Sequence, residues 1–92
     1  GLIASGDRFV SAADESRGIQ RALREAGLDV LAVEMEGAAV AQVCFDFGVP
    51  FAAVRTISDR ADDQAHMDFP KFVAEVASGY AQSIMTNLFR LL

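Results

Sequence analysis

Cysteine, clustered positive charge, repeats and long apolar runs are scarce or missing in these 92 residues, and each absence removes a class of protein. Cys44 is the only cysteine, so no internal disulfide forms, and a reducing cytoplasm is the expected compartment. It falls on the apolar stripe of an expected helix, where a free cysteine reads as a small core residue rather than a nucleophile. No stretch approaches the roughly eighteen uninterrupted apolar residues of a membrane span, so no membrane partner is expected. Eight Lys and Arg stand against thirteen Asp and Glu, a formal net charge of -5. That balance argues against nucleic acid, whose binders cluster basic side chains. The chain starts on Gly1, directly ahead of a strand-like segment, which leads to the expectation that it is part of a longer protein.

What is present is a run of apolar segments alternating between two periods. Gly1 to Ser5 reads as the end of a strand, turning at Ser5-Gly6-Asp7. Ser11 and Asp14 are candidate N-caps for a helix whose Ile19, Ala22, Leu23 and Ala26 form one stripe, stopped by Gly27. Leu31 to Met35 reads as a second strand. Gly37 opens a second helix with Val40, Val43, Cys44 and Phe47 on one side, closed by Gly48. Phe51 to Ile57 is apolar without clean alternation, the pattern of a strand covered on both faces, and it stops at Ser58-Asp59. After a polar loop, Asp68 is expected to cap one long helix with Pro70 in its first turn and Phe69, Phe72, Val73, Val76, Tyr80, Ile84, Leu88 and Leu91 on its apolar face. The order β-α-β-α-β-α predicts an α/β fold with a parallel-rich sheet and helices on its faces. Three strands are few for a sheet covered on both sides, so the expectation is a partial fold, residues 1–92 forming the C-terminal portion of a single larger domain.

Parallel strands aim their carboxyl ends the same way, and ligands of open α/β sheets sit beyond those ends. Gly6-Asp7, Glu34-Met35-Glu36 and Ser58-Asp59 therefore converge on one edge. In regular strand geometry Glu34 and Glu36 share a face about 7 Å apart. A carboxylate there accepts from two neighbouring hydroxyls, as a sugar diol would offer. The plainer alternative is a strand running out into solvent with ordinary surface glutamates. Asp59 follows directly on an apolar strand. Burial raises a carboxyl pKa, and an acid kept protonated near neutrality works as a general acid. A turn or helix cap is the plainer reading of the same aspartate. His66, alone in a polar loop, reads as a surface residue.

Three stretches, A-V-E-M-E-G-A-A-V-A (Ala32 to Ala41), V-P-F-x-x-V-R-x-I-S-D-x-A-D (Val49 to Asp62) and S-G-D-x-F (Ser5 to Phe9), resemble the 5'-methylthioadenosine/S-adenosylhomocysteine nucleosidases of the nucleoside phosphorylase superfamily. The first is shared with purine nucleoside phosphorylases; the second is closer to the nucleosidases. The resemblance covers essentially the whole chain and corresponds to the C-terminal part of such an enzyme. It implies a three-layer α/β/α fold and release of adenine by hydrolysis of an N-glycosidic bond. Asp59 then matches the acid that protonates N7 of adenine, and Ser58 the serine that orients it. Glu36 matches the glutamate on the ribose hydroxyls and Met35 the methionine against the ribose. Phe9 matches the ring stacked on the purine, and Val10 the backbone that reads its edge. Phe69 would line the pocket for the 5'-thio substituent. Glu34 matches a binding-site position whose simpler role is structural, as a partner for Arg55 or a loop amide. The resemblance also implies no metal, no organic cofactor and a homodimer for the intact enzyme. Its water-activating glutamate belongs to an N-terminal portion that these residues do not include, which leaves a phosphorylase or a catalytically incomplete fragment as rival readings.

Overall fold

Two short apolar segments, Leu2–Ser5 (β1) and Val30–Glu34 (β2), pair in parallel and form the only sheet of the computed structural model, which describes residues 1–92. Ile3 lies opposite Ala32, Ala4 opposite Val33 and Ser5 opposite Glu34. The Gly6 N–H extends the ladder to the Glu34 carbonyl at 3.0 Å. The register brings the last residues of both strands to the same end of the sheet, as parallel pairing requires.

The crossover between them is helix α1 (Ala13–Glu25). Ser11 and Asp14, the expected caps, do not cap it: Ala12 holds the cap position, and the first helical N–H, that of Ala13, donates to Asp63 Oδ1 at 3.1 Å. Asp14 lies inside the first turn instead and pairs with Arg17. Gly27 ends the helix at φ +80°, a conformation that costs glycine little and other residues more. Helix α2 (Gly37–Asp46) follows β2 after a two-residue bend and ends before Gly48, also at positive φ.

The parallel α/β arrangement stands, but the third strand does not form. Residues 50–61 carry no backbone–backbone hydrogen bond and no regular secondary structure. The apolar pattern from Phe51 to Ile57 records a need for burial, whereas a strand also needs a neighbour at ladder distance, and this segment has none in the chain. Val54 and Ile57 accordingly lie in the open.

The expected long C-terminal helix is two. Helix α3 (Ala65–Glu75) starts ahead of Asp68, with Gln64 at the cap position and Pro70 within it. Helix α4 (Ala77–Leu91) begins after a break at Val76, whose φ of -133° lies outside the helical region. A β-branched residue followed shortly by Ser78 and Gly79 places weak helix formers in succession there. Phe72 and Tyr80 span the break with ring centroids 6.0 Å apart. No helix is long and apolar enough to cross a membrane.

Only Val10 and Ala65 are buried. A compact monomer of 9.9 kDa would show about 5,200 Å² to solvent, whereas this chain shows 7274 Å². Its radius of gyration, 14.9 Å, likewise exceeds the ~12 Å of a compact chain of this length. Helices α2 and α4 bury no residue and α3 buries only Ala65, so their apolar side chains have little of the chain packed against them.

Candidate active site

Glu34 ends β2, and its side chain is turned back to the start of α2. Oε2 accepts the Gly37 N–H at 2.7 Å and the Glu36 N–H at 3.1 Å, filling two of the donors a helix start leaves unpaired. Ser5, opposite Glu34 in the ladder, sets its hydroxyl beside the same carboxylate and accepts the Ala38 N–H at 2.9 Å. Arg55, from the unpaired segment, completes the set with a guanidinium on Glu34. The side chain is only 11% exposed. Its carboxyl pKa is lowered to about 2, chiefly by the Ser5 hydroxyl, then by the Gly37 and Glu36 amides and Arg55; burial opposes the shift. Glu34 is thus a fixed anion that organises the strand-to-helix bend.

Glu36 lies beyond the strand, at the cap position of α2 with φ -119° and ψ -27°, so the two glutamates do not share a strand face. Both are joined by one atom: Arg55 Nη2 donates to Glu36 Oε2 at 3.0 Å while also holding Glu34. Glu36 is otherwise open, 67% exposed, with its second oxygen free of partners in the chain. An anchored anion and a presented one therefore stand side by side.

Ser58 and Asp59 follow directly on the unpaired segment that carries Arg55. The Ser58 hydroxyl donates to Asp59 Oδ2 at 2.7 Å, and the Ala61 N–H donates to Oδ1 at 2.8 Å, closing a tight turn. Ala61 takes φ +52°, the left-handed region that a side chain disfavours by about 1–2 kcal/mol. Both carboxylate oxygens are held, so the side chain has one direction in which to point.

Phe9 is flanked by two residues one helical turn apart on α3. Its ring lies 5.3 Å from that of His66 and 5.5 Å from that of Phe69, the latter edge-on. Val10 follows, buried.

Phe9, Val10, Glu34, Met35, Glu36, Ser58, Asp59 and Phe69 all line one cleft of about 620 Å³. Asp7 does not reach it. Its dimensions fall in the range of small-molecule sites, about 300–1,000 Å³, and its lining is mostly apolar with carboxylates at two places. The sequence reading left out Ser5, the tie from Arg55 to Glu36, and the contact of His66 with Phe9. Ser5 was accessible in principle: parallel pairing of the two strand ends sets it beside Glu34. The His66 contact had no sequence signal, because it needs the path of the loop. No three His, Cys, Asp or Glu side chains gather so as to hold a metal ion.

The family model for the phosphorylase superfamily matches residues 1–90. Among curated proteins, the 5'-methylthioadenosine/S-adenosylhomocysteine nucleosidase of Haemophilus ducreyi is 44% identical over 88 residues, 96% of this chain and 36% of that protein. The protein of the same name from Staphylococcus aureus strain JH9 is 40% identical over 84 residues, 91% of this chain and 35% of its own length. The chain thus spans little more than a third of these relatives. No solved structure matches it. With the superfamily match running nearly end to end over the residues that build the cleft, the chain belongs to the phosphorylase superfamily.

Proposed function

We propose that residues 1–92 are the C-terminal portion of a single nucleosidase domain, whose intact enzyme hydrolyses the N-glycosidic bond of 5'-methylthioadenosine and S-adenosylhomocysteine to release adenine. The carrying observation is the shared cleft, lined by an acid fixed by a serine, by a presented glutamate and by an aromatic ring packed on one of two rings of α3 that contact it. The names of the Haemophilus and Staphylococcus relatives support the substrate.

Breaking this bond builds positive charge on the ribose and negative charge on the base. Asp59 gives a proton to N7, so that adenine leaves neutral, and Ser58 holds the acid in place through its 2.7 Å bond. Glu36, through the oxygen that Arg55 leaves free, takes the ribose hydroxyls and lies near the sugar's developing charge. Met35 packs on the ribose and Phe9 on the purine, the Val10 backbone reads the purine edge, and Phe69 lines the 5'-thio end. Glu34 acts at one remove by holding the bend and Arg55. The glutamate that activates water lies outside these residues, so the proposal places hydrolysis in a longer, homodimeric and cytoplasmic protein that needs no cofactor.

The test is the intact protein supplied with methylthioadenosine, with and without phosphate. Free adenine and free methylthioribose at a phosphate-independent rate are expected. A phosphorylated sugar that appears only with phosphate would make it a phosphorylase, and no adenine under either condition would end the proposal.

A further inference from the structure

We propose that Asp63 is a positioning residue, fastening the turn that carries Asp59 to the segment that carries Phe9 and Val10 and so setting the acid in register with the purine platform. The inference rests on the nucleosidase reading for its functional part and on geometry for the fastening. Three observations meet at this junction. Asp63 Oδ1 accepts the N–H of Ala13, the first residue of α1, across fifty positions of sequence at 3.1 Å. Phe9, four residues before that helix start, sits against His66 and Phe69 of α3, at 5.3 and 5.5 Å. The two buried residues of the whole chain, Val10 and Ala65, belong to these same two segments, and Ala65 is fully enclosed.

Between Asp59 and Ala65 two hydrogen-bonded turns follow each other directly. Ala61 donates to Asp59 at 2.8 Å, Gln64 donates to Asp62 Oδ1 at 2.9 Å, and Ala65 donates to the Asp62 carbonyl at 3.0 Å. The left-handed Ala61 lies inside this stretch. A strained alanine persists only where its surroundings over-determine it, and the fastening at Asp63 supplies the far anchor. A carboxylate at the start of α1 is also well placed toward the positive end of the helix dipole. Asp63 touches none of the reacting atoms in this scheme; it acts through where it holds Asp59.

Asp63→Ala and Asp63→Asn are compared in the intact protein on two nucleosides, methylthioadenosine and one whose leaving group needs no proton. Asparagine keeps the Oδ1 acceptor and alanine removes it. Asp63→Ala is expected to lower kcat on methylthioadenosine about tenfold, since small misplacements of a catalytic group are costly, while the activated nucleoside loses less than about twofold. Asp63→Asn should stay near the parent on both. Equal losses on the two nucleosides, or an asparagine variant as poor as alanine, would overturn the positioning role. Amide exchange at Ala13 separates this from failure of the nucleosidase reading. It should quicken about fivefold in Asp63→Ala alone, the size expected of a lost helix cap, whether or not the parent releases adenine. Exchange that is the same in parent and Asp63→Ala would overturn the fastening itself.

Discussion

Glu34 and Glu36 are two positions apart and identical in chemistry, yet the structure gives them different surroundings. Glu34 is held by Ser5, two amides and Arg55, whereas Glu36 is exposed with one oxygen free. Glu36→Gln in the intact protein is therefore expected to lose about 2–4 kcal/mol in kcat/KM, the scale of a charge-assisted interaction that strengthens as the ribose gains charge, with little change in stability. Glu34→Gln should do the reverse, lowering the unfolding midpoint with a smaller kinetic loss. Equal kinetic losses at both positions would mean the roles are misassigned. Stability against pH gives a second reading of Glu34. A carboxyl whose pKa falls from 4.5 to about 2 on folding contributes stability that is whole above pH 4.5 and lost as pH drops toward 2. The stability gap between parent and Glu34→Gln should thus be widest near neutrality and close across that acid window; a gap independent of pH would contradict the assignment. The sequence displays both glutamates, with Arg55 as a plausible partner for the first. It does not show that the strand stops between them, because that depends on the Gly37 amide and the Arg55 guanidinium converging on one carboxylate.

At the scale of elements, helix starts and stops were legible where glycine sets them and illegible where distant groups do. Gly27 and Gly48 end α1 and α2 at positive φ, as glycine after an apolar stripe implies. The cap of α1 comes from Asp63 and the start of α2 is held by Glu34 and Ser5, partners that no local window contains. The segment from Phe51 to Ile57 failed as a strand for the same reason: its residues announce burial, but pairing is a property of a neighbour. Gly37 shows how tight the bend at α2 is. A Cβ built there would meet Glu34 Oε1 at 2.6 Å and Cδ at 3.0 Å. Carboxylate ends usually yield cheaply, but this one is pinned by several donors. Gly37→Ala should accordingly destabilise by about 1–3 kcal/mol despite alanine's better helix propensity, as overpacking does. A denaturant midpoint at or above the parent's would show that the carboxylate moves freely.

On the scale of the whole molecule, the surface decides behaviour. The chain exposes about 2,000 Å² more than a compact monomer of its mass, more than one partner buries in a standard interface. Leu31, Phe45, Phe47 and Met67 are each more than two-thirds exposed, and the apolar segment from Phe51 to Ile57 leaves its backbone unpaired. Such edges and patches drive association. The isolated chain is expected to elute from a sizing column as oligomers or aggregates and to release no adenine; a compact, active monomer would contradict this. The central claim, that Asp59 is the acid that lets adenine leave, has a more direct test in the intact protein. Asp59→Asn keeps size and a hydrogen bond toward N7 but cannot give a proton. General-acid catalysis is typically worth about 10²–10⁴-fold, so kcat on methylthioadenosine should fall by at least that much with a modest change in KM. A nucleoside whose leaving group needs no proton should be cleaved by Asp59→Asn nearly as fast as by the parent. Equal losses on both nucleosides would mean that Asp59 holds the base without protonating it, and the proposed mechanism would be wrong.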